Sequence, residues 1–224
     1  MPHDINKLDA ATGRCMTREP TGEWTCLGDK VLTSCCCQNA NNIVGCNSSG
    51  EIWQWDGEEW SCLSTNPVLN VVSVGCDGAM YGVEASTWHI QKWNGTSWDE
   101  ITGAAPTIAA YSDTLIYALT ESGLYIGDGE GGWTLVDSTV CSGISVASDG
   151  SLFAIKSSDG SLVKWSGSAW GSSLGAATGL KQIAAKSGTM VWAVGSDDKL
   201  WYWNGLAWTK SSDDTVSGIA LAMM

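Results

Sequence analysis

No apolar run in this sequence approaches the roughly 18 residues of a membrane-spanning helix. Residues 1–7 lack the apolar core of a secretory signal, so a cytoplasmic chain without membrane insertion is expected. Basic residues are scarce: 11 Lys and Arg face 24 Asp and Glu, for a formal net charge of −13. Nucleic acid as the main partner needs clustered cations and is excluded on that ground. The only histidines are His3 and His89, and neither belongs to a His-Glu-x-x-His motif. A nucleophile elbow, a phosphate-cradling glycine loop and an Asp-x-Asp-x-Asp calcium loop are all missing. Asp77, Asp149 and Asp159 recur at equivalent Asp-Gly turns, whereas a glycosidase needs one unique carboxylate pair. The expectation is a protein with no catalytic activity, no cofactor and no metal site. The nine cysteines include no C-x-x-C pair, and Cys35 and Cys37 fall in columns occupied elsewhere by Val72 and Val74. They read as buried, reduced thiols acting as small hydrophobes.

Tryptophan and glycine are what the chain has in excess, with 14 Trp against a single Phe, and 27 Gly. The tryptophans are periodic. Trp55-Asp56-Gly57-Glu58-Glu59-Trp60, Trp93-Asn94-Gly95-Thr96-Ser97-Trp98, Trp165-Ser166-Gly167-Ser168-Ala169-Trp170 and Trp203-Asn204-Gly205-Leu206-Ala207-Trp208 share one form. Looser copies end at Trp133, with Gly127 in place of the first Trp, and at Trp24, with Arg18 in its place. The closing tryptophans recur at intervals of 35 to 38 residues, the signature of a repeated supersecondary unit.

Within each unit, short alternating apolar runs are separated by Asp-Gly and Asn-Gly, which predict hairpins because both turn positions tolerate positive φ. Four strands per unit and almost no helix make an all-β propeller. After Trp208 only one strand of a unit remains, Val216–Ala222, and the N-terminus through Trp24 matches the other three. The expected fold is one six-bladed β-propeller over residues 1–224 with four-stranded blades, the last closed by a C-terminal strand and three N-terminal strands. That closure removes a free sheet edge at the seam.

The repeat lacks the marks of the WD, kelch and sialidase types. It resembles the tectonin repeat, as Gly143-Ile144-Ser145-Val146-Ala147-Ser148-Asp149-Gly150-Ser151-Leu152-Phe153-Ala154-Ile155 and the Trp-Asn-Gly-x-x-Trp hairpins show. The resemblance extends over the whole chain and is closest to the small mushroom tectonins. It implies a cytoplasmically made lectin for bacterial lipopolysaccharide and O-methylated glycans (methylated mannose or fucose), serving defence against bacteria and nematodes. Loss of the first Trp at Gly127 and Arg18 counts against sugar binding in those two units.

The candidate carbohydrate-binding residues are Trp55, Asp56, Trp93, Asn94, Trp165, Ser166, Trp203 and Asn204. An indole face suits the apolar C–H face of a pyranose, and its N–H can bond a hydroxyl. Two readings stay open for the first tryptophans, sugar platform or packing, whereas the closing ones read as packing between blades. Asp56, Asn94, Ser166 and Asn204 either bond sugar hydroxyls or simply serve the turn. A multivalent lectin, open to homo-oligomerisation, stands against a protein-interaction scaffold as the alternative.

Overall fold

The computed structural model describes residues 5–18, 23–175 and 179–221, the side chains of 212–214 and 221 apart. His3, Gly22 in the loosest hairpin and Ala222 at the end of the expected last strand lie outside the described residues. Regular structure among the described residues is all strand. In chain order come β1 (Ile5–Asp9), β2 (Arg14–Arg18) and β3 (Trp24–Val31). There follow β4 (Ser34–Asn39), β5 (Asn42–Cys46), β6 (Ile52–Trp55) and β7 (Trp60–Ser64). Next are β8 (Leu69–Val74), β9 (Met80–Glu84), β10 (His89–Trp93) and β11 (Trp98–Ala104). Then β12 (Thr107–Ser112), β13 (Leu115–Thr120), β14 (Gly123–Gly127) and β15 (Trp133–Asp137). Three strands come after them, β16 (Cys141–Val146), β17 (Leu152–Lys156) and β18 (Leu162–Lys164). The last four are β19 (Leu180–Ser187), β20 (Met190–Gly195), β21 (Lys199–Trp203) and β22 (Trp208–Leu221).

The fold is an all-β propeller. Four sheets stand as separate antiparallel blades: β4–β7, β8–β11, β12–β15 and the three-stranded β16–β18. In the last of these the fourth strand is reduced to a bridge between Trp165 and Trp170. The remaining strands form one seven-stranded sheet in the order β19-β20-β21-β22-β1-β2-β3. The expectation of six separate blades is therefore corrected. The reason is β22, which pairs with β21 from Trp208 to Thr215 and with β1 from Val216 to Leu221. One unbroken strand carries the hydrogen bonding from the C-terminal group of strands into the N-terminal group.

The strands β4, β8, β12, β16, β19 and the second half of β22 touch in cyclic order, and contact of β22 with β4 closes the ring. Together they line a central cavity of about 280 Å³. Their cavity-side edges would leave backbone donors unpaired, and side chains of the preceding inner strand catch them. Val74 N–H donates to Cys36 Sγ at 3.2 Å, Ala110 N–H to Ser73 Oγ at 2.8 Å and Ala185 N–H to Ser145 Oγ at 3.0 Å. Ile219 N–H donates to Gln182 Oε1 at 3.2 Å. The hydrophobic core sits between sheets, as where Tyr81, Val83 and Ile90 meet Ile108, Ala110, Ile116 and Ala118.

In the Asn-Gly turns only the glycine takes positive φ, where the sequence suggested it for both positions. Trp93 pairs with Trp98 across a four-residue loop, and Gly95 has φ 101° whereas Asn94 is not left-handed. Asn94 Oδ1 instead accepts the N–H groups of Thr96 and Ser97, both at 2.9 Å. A polar residue ahead of the glycine is thus selected as a turn cap. The nine cysteines form no disulfide, with Cys15, Cys35, Cys37, Cys46 and Cys141 buried, and burial pushes the Cys36 thiol up to about 11.

Replacing Ser73 with Ala leaves the buried Ala110 N–H without its acceptor, and a loss of about 1–3 kcal/mol is expected in urea unfolding. Ser73→Cys should restore most of it, because Cys36 performs the same task with sulfur.

Candidate functional site

The eight residues singled out by sequence sit at the outer hairpins of different sheets and do not converge. Trp55 and Trp203 are only 8% and 6% exposed and belong to the inter-sheet cores. Their faces are covered by protein. Trp93 and Trp165 are half-buried. Within the hairpins, ring centroids lie 5.6 Å apart for Trp55–Trp60, 5.3 Å for Trp93–Trp98 and 5.2 Å for Trp165–Trp170. Trp203 instead meets Phe153 edge-on at 6.0 Å.

The polar partners are engaged in their own turns. Asp56 Oδ1 accepts the N–H groups of Glu58 and Glu59, and Asn204 Oδ1 those of Leu206 and Ala207. Ser166 Oγ accepts Ala169 N–H at 3.1 Å and donates to its carbonyl. The same geometry holds Asp56 below the usual carboxylate range, first through Glu59 N–H, and Asp128 through Glu130 N–H. Asp77 and Asp149 tie neighbouring sheets, accepting Asp113 N–H and Gly188 N–H, each at 2.7 Å.

Three of the closing tryptophans clamp their sheet to the strands before it. Trp60, Trp133 and Trp208 donate their Nε1–H to the carbonyls of Leu27, Thr102 and Leu174. Packing between blades accounts for these three residues.

Another set of aromatics was passed over by sequence reasoning. Two residues before each hairpin's first position, the third strands carry Met16, Trp53, Gln91, Tyr125, Val163 and Trp201. Trp53, Tyr125 and Trp201 are half-buried, and the recurrence of large rings in this column was a readable signal. Over Trp53 stands Lys30 Nζ, 3.7 Å from the ring. Trp201 Nε1–H donates to Asp197 Oδ1 at 3.2 Å.

Around Tyr125 the seam between β8–β11 and β12–β15 opens into a cleft of about 320 Å³. Tyr125 and Trp133 supply its rings, Thr120 and Ser122 its hydroxyls, and Ile90 and Ala104 its apolar floor. No charged residue lines it. The cleft lies in a unit that lacks the first Trp. A Cβ on Gly127 would stand 2.6 Å from Trp133 Cζ3, and one on Gly103 2.5 Å from Trp133 Nε1. These two glycines let the Trp133 ring lie flat against the backbone and reach Thr102. An uncharged slot with two aromatic faces and two hydroxyls suits a neutral, amphipathic ring molecule.

Comparison with known proteins places this geometry. Residues 36–126 match the model of the Tectonin domain, a stretch that covers β5–β13 and most of β4 and β14 but less than half the chain. No curated protein sequence matches. Among solved structures, a streptogramin B lyase superposes with a TM-score of 0.64 at 12% identity, covering 92% of this chain and 78% of that one. A gluconolactonase from Xanthomonas campestris gives 0.60 at 12% identity, with 95% and 86% covered. YCF48 from Cyanidioschyzon merolae gives 0.55 at 15% identity, with 95% and 73% covered. At these identities the likeness is one of propeller fold.

Two outcomes separate packing from turn chemistry. Trp203→Ala should lower stability by about 3–5 kcal/mol, as for a buried Trp, and Asn204→Ala by about 1 kcal/mol. Urea unfolding measures both. The depressed Asp56 and Asp128 bind fewer protons when folded, so their contribution is present above the ordinary carboxylate value of 3.8. It is lost as pH falls through their lower folded values. The stability difference between wild type and Asp128→Asn should be flat near neutrality and shrink once the pH drops below about 4.

Proposed function

We propose that this protein is a carbohydrate-binding propeller, and that the seam around Tyr125 is a binding site. The observation carrying this reading is the uncharged cleft with two rings and two hydroxyls, in a chain part of which matches the Tectonin domain. A pyranose presents an apolar C–H face to Tyr125 or Trp133 and hydroxyls to Thr120 and Ser122. A methyl ether adds apolar area worth about 0.8 kcal/mol when buried, which favours O-methylated mannose or fucose over the free sugars. In this reading, lipopolysaccharide is met through its neutral sugars, because its phosphates would approach a surface of net charge −13. Further weak sites at other seams add avidity through effective concentration, and homo-oligomers would extend it. The assignment includes a non-catalytic, cytoplasmic role in defence.

The test is a glycan array carrying lipopolysaccharides and matched methylated and unmethylated mannose and fucose. Selective binding to methylated members is expected, with Tyr125→Ala weakening it about tenfold, the loss of one ring contact. Silence across the array would leave the scaffold alternative, a propeller binding one protein partner per chain. Binding that Tyr125→Ala leaves unchanged would remove the seam assignment and keep the lectin reading.

A further inference from the structure

Five turns share one backbone device. Between β1 and β2, β5 and β6, β9 and β10, β17 and β18, and β20 and β21, the last turn residue is left-handed. These residues are Gly13 (φ 67°), Gly50 (φ 76°), Trp88 (φ 65°), Gly160 (φ 67°) and Asp198 (φ 57°). Their carbonyls accept the N–H of Leu32, Leu69, Ala105, Leu180 and Val216, at the approach to the next inner strand. The conformation is therefore architectural, and glycine or aspartate meets it readily. Tryptophan does not, and the Trp88 side chain is 46% exposed, so core packing does not explain it.

Directly after Trp88 comes His89, the only histidine among the described residues. Glu84 ends β9, His89 begins β10 and Glu100 lies on β11, so three adjacent strands each contribute one metal-type ligand. One ligand atom from each lies within 4.8 Å of the others. His89 Nδ1 stands 3.1 Å from Glu100 Oε2. No lysine or arginine among the described residues pairs with either carboxylate. The hydroxyls of Ser86 and Thr87 donate to the Glu84 carboxylate, the outer bonds that orient a ligating group.

We propose that Glu84, His89 and Glu100 bind one divalent transition ion of the zinc type. One imidazole nitrogen with two carboxylate oxygens is a ligand set that zinc accepts at about 2.0–2.2 Å. Neighbouring ligands on a tetrahedral ion are then roughly 3.3 Å apart, close to the present His89–Glu100 spacing. Only the Glu84 side chain has to close in. The nitrogen ligand favours zinc over calcium or magnesium, which take oxygen. Three protein ligands leave one position open to water or to an oxygen of a bound molecule. The ion would also neutralise two carboxylates that no lysine or arginine among the described residues pairs with. Its three ligands share no residue with the lining of the seam cleft.

Isothermal titration of the full chain with zinc chloride, in a reducing, non-chelating buffer near neutral pH, tests it. One ion per chain is expected, with affinity lowered at least about tenfold in His89→Gln and in Glu100→Gln. The exposed Cys26 and Cys62 are the competing ligands, so Cys26→Ser/Cys62→Ser should bind zinc as wild type does. Absence of stoichiometric binding overturns the proposal. So does binding that survives His89→Gln, or binding abolished by the paired serine substitutions. Circular dichroism of each variant confirms that a loss of binding is not a loss of fold.

Discussion

The constraint on which this fold turns is the exposed edge of its inner strands. A strand lining the central cavity has a partner on one side only, and an unpaired row of donors there costs stability and invites wrong pairing. Here the inner strand of one sheet lends a short side chain to the next: Cys36, Ser73 and Ser145 each receive a backbone N–H from the following inner strand. The bonds run across the sheet interfaces, so they fix the offset between sheets as well as satisfying the edge. Gln182 does the same with a longer reach where β19 meets the second half of β22. Ring closure, the cavity and the placement of every outer hairpin depend on that offset.

Farther out, the sheets diverge, and larger groups are needed to span the gap. Tryptophan does this with its N–H as well as its area: Trp60, Trp133 and Trp208 each bond a carbonyl of the preceding outer strand or loop. Between ring and rim, charges bridge the second seam, where Lys92 Nζ contacts Asp113 at 3.0 Å and Glu130 at 2.6 Å. Polar latch, ion pair and tryptophan clamp succeed one another from the inner strands outward. The excess of tryptophan follows largely from this geometry, with no ligand required for most of it.

Repeats and strands were legible because their signals are local: alternation, glycine turns and a tryptophan every 35 to 38 residues. What was not legible depended on continuity and depth. Nothing in Trp208–Leu221 signals that one strand changes partner at Val216 without breaking. Likewise, Trp55 and Trp93 read alike in sequence, yet one is covered and the other half open, since their neighbouring sheets differ. Asn94 reads as a left-handed hairpin residue and acts as a turn cap. Trp88 was visible as the odd residue of a glycine column, but the strain and exposure that make it odd belong to the backbone.

The seam cleft shows how irregularity makes room for function. Three of the four units that keep both tryptophans fill the hairpin with two tilted or edge-on rings, as Trp93 and Trp98 do. In the β12–β15 sheet, Gly127 takes the first position and the Trp133 ring settles onto it. The volume given up lies beside Tyr125, against Gly103 and Ala104. One of the two units that its motif marks as less fit to bind therefore opens. The intact motif marks where rings pack, and its loss at Gly127 marks where space appears. At the seam beneath Trp53 the same column is covered by Lys30, which turns that ring toward a cation instead of a neutral ligand. The seams of one ring are consequently unequal in the space that the packing leaves open.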